Sequence, residues 1–412
     1  MIAAVAILLI VGVLVDWGFR RAGIPGLVGM LAVGVIAGPH LLGWISPSLV
    51  ALSEDLRVGA LIIILLRAGL EVSRETLAKV GVRVLLLSTV PAIIEGAAVT
   101  IFGPLLLGLT WLESAVLGAV LAAVSPAVVV PLMLGFIDRR KGTGKGIPQM
   151  VLAASAIDDV FVIVIYGMLV GVLTGREVTL VWQLAGIPFS ILLGIVAGVV
   201  VGMALIALFR FFGTRIIRQV LVVLGLAILL VQLQHLVMAW LPFAALLSVM
   251  AMGMVLLERD HIMARGISSQ LAKLWVFAEI LLFTLVGAQV DLEIAMASGV
   301  AGAIIVVIGL IARSIGTWLC LLGSEFDVRE RLFVVIAYLP KATVQAAIGG
   351  GALVALGLAG MPTGPGEVIL AVAVLSIVLT APLGAWAISV SGERCLGHDG
   401  VAARAKNHSE QG

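Results

Sequence analysis

Charged residues are scarce in this sequence: they make up 12% of its 412 positions, about half the share of roughly 25% that is typical of soluble globular chains. A soluble globular fold is therefore excluded. Cysteine is also rare, with Cys320 inside an apolar run and Cys395 near the C-terminal end, so neither a disulfide framework nor a cysteine metal site is expected. Basic clusters interleaved with aromatic residues are lacking, which argues against nucleic-acid binding.

Apolar residues, by contrast, make up 62% of the chain, and they form continuous runs of about 20 residues, the length that a helix needs to cross a bilayer. A porin-type barrel would instead alternate polar and apolar residues in short strands. The sequence therefore predicts an all-α polytopic membrane protein with about thirteen transmembrane helices. The predicted runs are 2–19, 25–44, 56–70, 80–108, 112–136, 147–173, 180–209, 218–236, 241–257, 272–289, 297–322, 330–357 and 367–390.

Lys and Arg are distributed unevenly between the two sides of these runs. With the N-terminus outside, twenty of the 25 Lys and Arg residues lie on the cytoplasmic side, only Arg57 and Arg176 lie outside, and Arg67, Arg313 and Lys341 lie within runs. This positive-inside bias predicts an external N-terminus and a cytoplasmic C-terminus. The first run carries no positive n-region, which favours a retained span over a cleaved signal peptide.

A single transmembrane domain is predicted over residues 1–390. The remaining residues, 391–412, are polar and predict a disordered cytoplasmic tail. An integral protein of the cell (inner) membrane that contacts membrane lipid is expected, with no cofactor.

Ionisable side chains far from the ends of a span are functional candidates, because a charge in hydrocarbon costs at least about 2.5–3.5 kcal/mol. Asp158 and Asp159 lie near the middle of their run and are adjacent. Neighbouring helical positions differ by about 100°, so the two carboxylates face different surroundings. Two buried acids indicate that a proton and a cation compete for one of the carboxylates. The alternative is that the two acids form a pair of structural salt bridges. The full set is Arg67, Glu95, Asp158, Asp159, Glu279, Arg313 and Lys341.

Two runs contain prolines at mid-depth. Pro126 and Pro131 interrupt run 112–136, and Pro340 precedes Lys341 in run 330–357. Proline removes a backbone donor, so each run is predicted to break and to free backbone groups, which membrane proteins tolerate only within protein or beside a watery cavity. A simple proline kink is the alternative for either run alone.

The broken runs occupy matching places in two sets of three runs. The fourth to sixth runs contain Glu95, a break and the Asp158–Asp159 pair, while the eleventh to thirteenth contain Arg313, a break and a last span. The sets are seven runs apart and therefore cross the membrane in opposite senses. This layout predicts an inverted repeat of the kind found in secondary transporters.

Several segments match a known family in order along the chain. The segments are LRAGLEVSRETLAKV (66–80), STVPAIIEGA (88–97), AAVSPAVVVPLML (122–134), KGIPQMVLAASAIDDVFVI (145–163), LLFTLVGAQV (281–290) and YLPKATVQAAIG (338–349). Together they resemble the NHA-type sodium/proton antiporters, the exchanger B subfamily of the monovalent cation:proton antiporter-2 superfamily. The resemblance implies an NhaA/NapA-like fold with two crossing broken helices, a core at about 80–173 and 297–390, a dimerisation scaffold formed by the other spans, elevator-type alternating access and homodimers.

The resemblance also implies roles for individual residues. Asp158 and Asp159 correspond to the acids that bind the ion and the proton, Lys341 to the lysine of the core, and Glu95 with Arg313 to an intramembrane ion pair. Arg313 stands where electrogenic relatives carry a lysine, and arginine does not release its proton. The proton:cation ratio therefore stays open.

The resulting hypothesis is exchange of Na⁺ or Li⁺ for H⁺. Asp158 and Asp159 would bind the metal ion, with Ser125 as a further oxygen ligand, because hard cations prefer oxygen. Thr343 and Ser155 are candidates for polar lining. Lys341 is expected to pair with Asp158 when no ion is bound.

Other functions remain open at this stage. A K⁺/H⁺ antiporter or a sodium-coupled solute symporter fits a related fold. A channel is disfavoured because nothing resembles a selectivity filter. An intramembrane aspartyl protease would need acids on two helices with a Gly-x-Gly-Asp motif, so the protein is not expected to be an enzyme.

Overall fold

The computed structural model describes residues 2–45, 52–175, 180–212, 215–237, 243–288 and 299–397, together with the isolated positions 49, 290, 293 and 296. Within these residues the chain forms helices and no β-strand. The helices in chain order are α1 (Ile2–Arg21), α2 (Gly26–Ala37), α3 (Ser53–Gly69), α4 (Arg74–Leu87), α5 (Val90–Leu107), α6 (Trp111–Ala122), α7 (Pro126–Asp138), α8 (Ile147–Leu173), α9 (Leu180–Phe212), α10 (Ile216–Val237), α11 (Ala245–Arg259), α12 (His261–Ala288), α13 (Gly299–Cys320), α14 (Val328–Ala337), α15 (Thr343–Ile348), α16 (Gly351–Leu358) and α17 (Gly364–Cys395).

The predicted fold class, an all-α membrane protein, is confirmed. Eight helical stretches of the described chain are long and apolar enough to cross a membrane. Helices lie within each of the thirteen predicted runs, while the number of crossings stays a prediction. Helix α17 continues to Cys395, five residues beyond the predicted end of the transmembrane domain, and residues 398–412 of the predicted tail lie outside the described residues.

Run 80–108 differs from the prediction because it contains two helices. Helix α4 ends at Leu87 and α5 begins at Val90, with Pro91 in the first turn of α5. Proline lacks the N–H that a continuous helix would need here. The hydroxyls of Ser88 and Thr89 both donate to the Leu85 carbonyl, so the junction keeps local hydrogen bonds in place of the missing one.

Close helix packing depends on glycine at several crossings. A Cβ added at Gly118 of α6 would lie 2.6 Å from the Gly96 carbonyl oxygen of α5, and one at Gly287 of α12 would lie 2.2 Å from the Leu31 carbonyl oxygen of α2. Small residues let backbones approach in a membrane, where burial of apolar side chains gives no net drive for association. Helices α4–α8 and α13–α17 pack mainly with one another, as do α1–α3 with α9–α12.

Both predicted breaks are present, and they meet. Helix α6 ends at Ala122 and α7 begins at Pro126, where proline suits the first position of a helix because that N–H needs no partner. The second break separates α14 from α15, and the Ser125 amide donates to the Pro340 carbonyl across the two breaks at 2.9 Å. Pro131 does not break its run, since α7 continues through it.

Candidate functional site

Four buried charged side chains meet where the two breaks cross. Glu95 comes from α5, Asp158 from α8, Arg313 from α13, and Lys341 from the second break. Each side chain is at most 1% exposed. Two anions and two cations are therefore enclosed together, and each keeps an oppositely charged neighbour, as buried charges require.

Arg313 is the centre of this cluster. Its Nη1 donates to Glu95 Oε2 at 2.9 Å, and its Nη2 lies 3.3 Å from Asp158 Oδ2. Nε donates to the Tyr338 carbonyl at 2.6 Å, and Nη1 also donates to the Ala122 carbonyl. The planar guanidinium offers five donors in a fixed geometry. It thereby joins the carbonyl ends of α6 and α14, at the edges of both breaks, to the two acids.

Lys341 contacts a different acid from the one expected. Its Nζ donates to Glu95 Oε2 at 2.7 Å, whereas Asp158 receives Arg313 and the Val124 amide, the latter at 2.8 Å. The expected pairing of Lys341 with Asp158 is thus not the arrangement in this structure. The reason is geometric: Arg313 lies between the two acids and reaches both, which leaves Lys341 on Glu95.

Asp159 differs from the other acids. Its side chain is only partly buried, and its Oδ1, although inaccessible, has no hydrogen-bond partner among the described residues. With Glu95 and Asp158 ionised, the charges of these acids and of Arg313 and Lys341 cancel, so an ionised Asp159 would add one negative charge to a neutral cluster. An inaccessible oxygen of an ionised carboxylate is costly without a partner. A proton or a cation would remove that cost.

The predicted hydroxyl groups have different surroundings. The Ser125 Oγ and Thr343 Oγ1 atoms lie 3.4 Å apart at the crossing of the breaks, and both residues are buried. Ser155 Oγ instead donates to the Leu152 carbonyl of its own helix at 3.0 Å. Ser125 and Thr343 therefore offer oxygen atoms at the crossing, while Ser155 is engaged locally. Across the described chain, no three His, Cys, Asp or Glu side chains form a possible metal cluster.

Sequence reasoning gave no role to two polar residues that hold the breaks. Gln345 Nε2 donates to the carbonyls of Val120 and Ala123, at 3.0 Å each, and its Oε1 accepts from the Ala342 amide at 2.9 Å. Thr380 Oγ1 accepts from the Lys341 amide at 2.8 Å. Gln345 lies five residues after Pro340 and is recognisable from the sequence as a polar residue near a break, whereas Thr380 lies in an apolar run and gives no such signal.

Arg67 also has a specific partner outside this site. Its Nη2 donates to Asp138 Oδ2 at 2.6 Å, and this ion pair links α3 to the last residue of α7. The contact joins the two groups of helices described above.

Comparisons with known proteins agree with this architecture. A family model described as "Sodium/hydrogen exchanger, transmembrane" matches residues 5–389. Sodium/hydrogen exchanger 9B2 of Mus musculus is 33% identical over 352 residues, which cover 84% of this chain and 63% of the relative. Sodium/hydrogen exchanger 9B1 of Homo sapiens is 28% identical over 350 residues, covering 84% and 67%. The chain thus spans about two thirds of the length of these relatives.

A solved structure shows the same fold. The sodium proton antiporter MjNhaP1 from Methanocaldococcus jannaschii superposes with a TM-score of 0.76 over 96% of this chain and 98% of that chain, at 22% sequence identity. At this identity the likeness concerns the fold alone.

Proposed function

Because the chain belongs to the family of transmembrane sodium/hydrogen exchangers, we propose that it exchanges Na⁺ or Li⁺ for H⁺ across the membrane. The observation that carries this proposal is Asp159, a carboxylate with an unpartnered oxygen beside a charge-balanced cluster. Such a site favours whichever single positive charge is available, a proton or a small cation. Competition between the two for one carboxylate is the chemistry of exchange.

The cation would be held by oxygen atoms around Asp159. Asp158 lies next to it, and the hydroxyls of Ser125 and Thr343 lie at the crossing of the breaks. Oxygen ligands suit a hard monovalent cation. Because Asp158 already accepts from the Val124 amide and Arg313, a bound cation would share its oxygens with these donors, and Asp159 would supply the uncompensated charge.

Alternating access would follow from movement of one group of helices against the other. Helices α4–α8 and α13–α17, which hold the whole site, would form the moving core, and α1–α3 with α9–α12 the scaffold of a homodimer. Carrying an uncompensated charge through hydrocarbon is costly, so the core would cross only when a cation or a proton neutralises Asp159. That rule couples the two fluxes.

Exchange is proposed to be electroneutral. Arg313 cannot release a proton, and Lys341 is held on Glu95. The core would therefore carry one positive charge in each direction, as a cation or as a proton.

The protein would lie in the cell membrane with an external N-terminus, surrounded by lipid.

The experiment is dissipation of a pH gradient in proteoliposomes on addition of NaCl, LiCl, KCl or choline chloride. Asp159→Asn is compared with the wild type and with Glu113→Gln, an equally small change at the exposed N-terminal turn of α6 that retains capping ability. We expect Na⁺ or Li⁺ to dissipate the gradient for the wild type and for the control but not for Asp159→Asn, with all three proteins folded.

The other outcomes are distinct. Dissipation by KCl alone would indicate K⁺/H⁺ antiport, and dissipation by no cation would refute antiport and make solute symport the next hypothesis. Unchanged exchange by Asp159→Asn would refute the assignment of the site. A dependence of the rate on a valinomycin-imposed potential would refute electroneutral exchange.

A further inference from the structure

The second half of the core contains a hydrogen bond that repeats the one made by Asp158. In the first half, the Val124 amide in the break between α6 and α7 donates to Asp158 Oδ2 of α8 at 2.8 Å. In the second half, the Lys341 amide in the break between α14 and α15 donates to Thr380 Oγ1 of α17, also at 2.8 Å. Each break thus has one amide held by a side-chain oxygen of the next long helix.

The positions along the chain support this equivalence. Val124 follows Glu95 by 29 residues and Lys341 follows Arg313 by 28, and Glu95 and Arg313 face each other from α5 and α13. The acceptors follow their donors by 34 and 39 residues. Thr380 therefore occupies, in the second half, the place that Asp158 occupies in the first.

The hydroxyl of Thr380 acts both as a donor and as an acceptor. It donates to the Ser376 carbonyl at 2.7 Å, which directs an oxygen lone pair towards the Lys341 amide. The side chain is only 5% exposed, so water cannot readily replace it as an acceptor. Removing the hydroxyl would leave a buried amide without a partner, and the break would have to move to satisfy it.

The amide of Lys341 lies between the contacts that assemble the site. The preceding carbonyl, that of Pro340, accepts from the Ser125 amide, and the Lys341 side chain reaches Glu95. Two residues later, Thr343 faces Ser125. A shift of this amide would therefore move the second break relative to the first.

We propose that Thr380 is a positioning residue for the cation site, the uncharged counterpart of Asp158 in the inverted repeat. By holding the Lys341 amide, it keeps Lys341 on Glu95 and Thr343 beside Ser125. This inference rests on the proposed function, because its effect is exerted on the bound cation.

The test uses the full-length protein with Thr380→Val, which keeps the β-branched shape and removes the hydroxyl. Thr380→Ser restores the hydroxyl. Thr284→Val is the matched control, because Thr284 is also buried but its hydroxyl bonds only carbonyls of its own helix. Three quantities are measured for each variant. The apparent KM for Na⁺ and the maximal rate are measured in proteoliposomes. The rise in melting temperature that NaCl produces is measured in detergent and reports binding without transport.

For Thr380→Val we expect the apparent KM for Na⁺ to rise about tenfold, because one buried hydrogen bond is lost. The maximal rate should change less, and NaCl should raise the melting temperature by a smaller amount than in the wild type. Thr380→Ser and Thr284→Val should keep the wild-type KM. A purely structural role would lower the melting temperature of Thr380→Val and leave its KM unchanged, and that result would overturn the proposal. If Thr380→Val does not fold, Thr380→Cys takes its place, because its sulfur is a weak acceptor. Its KM should lie between the wild-type value and a tenfold rise. A wild-type KM for Thr380→Cys would overturn the proposal.

Failure of the proposed function would look different. In that case the wild type itself would show neither Na⁺-driven dissipation nor stabilisation by NaCl. An active wild type with an unaltered Thr380→Val refutes the positioning role alone.

Discussion

Replacement of Glu95 by Gln should destabilise the protein strongly, because it removes an anion that two buried cations share. Glu95 Oε2 is shared by Arg313 at 2.9 Å and Lys341 at 2.7 Å. Gln keeps the volume and removes the charge, so two buried cations would face Asp158 alone. Removing one partner of a buried ion pair costs about 3–5 kcal/mol, because the remaining charge stays buried and uncompensated.

The expected change in melting temperature follows from the length of the chain. An unfolding entropy of about 2.1 cal/mol/K per residue amounts to about 0.9 kcal/mol/K for 412 residues. A loss of about 3–5 kcal/mol then lowers the melting temperature by about 3–6 °C. Lys341→Met should cost less, because Glu95 would still be bonded to Arg313.

The double variant Glu95→Gln with Lys341→Met tests the reasoning. It restores charge balance, since Arg313 and Asp158 remain as a pair. We expect it to melt higher than Glu95→Gln alone, a strong departure from additivity. The assay is intrinsic tryptophan fluorescence during heating in detergent, with Glu113→Gln as a control that should change stability by less than about 0.5 kcal/mol. Additive losses in the double variant would refute the view that the three side chains share one charge balance.

Two further changes test contacts outside the charged cluster, both by thermal unfolding. Burial raises the pKa of the Glu71 carboxyl, although its hydrogen bond with Ser268 opposes the shift. The free energy of unfolding should therefore fall as the pH rises from 4.5, the ordinary pKa of the group, through the raised pKa. Glu71→Gln should reduce this dependence of stability on pH. Equal slopes would contradict the assignment. Gly118→Val should lower stability by about 1–3 kcal/mol, because its side chain would meet the α5 backbone. Gly167→Ala, which points into open space, should be neutral, and equal melting of the two variants would contradict the packing argument.

The helices and the breaks could be predicted from the sequence because their causes are local. A continuous apolar run forms a helix in a bilayer since every backbone polar group must be paired internally. Pro126 and Pro340 mark the breaks because each removes a donor beside a polar residue. Pro131 also removes a donor but lies between apolar residues, and α7 continues through it among buried neighbours. Transmembrane helices tolerate proline where their surroundings compensate.

The family resemblance implied the contact of Glu95 with Arg313, but the pairing of Lys341 with Glu95 could not be predicted in the same way. From the sequence, Arg313 and Lys341 are both single cations within apolar runs. Which acid each one reaches depends on how α5, α8 and α13 cross, a property that local patterns do not contain. Thr380 was missed for a related reason: a threonine in an apolar helix usually bonds its own preceding turn, as Thr284 does, and only the three-dimensional contact with the Lys341 amide sets it apart.

The two halves of the inverted repeat share one hydrogen-bond arrangement but differ in the chemistry of the acceptor, and under the proposed function this difference would limit how many charges the core carries. Each break presents an amide that a side chain of the next helix accepts. An acid in place of Thr380 would add a third anion to Glu95 and Asp158, while the cluster contains Arg313 and Lys341 as its two cations. With the hydroxyl of Thr380 in the second half and Asp158 in the first, the cluster is neutral, and an ionised Asp159 would be the acid without a counter-charge. Under the proposed exchange, one cation or one proton would then suffice for each crossing, and a single carboxylate would couple the two movements.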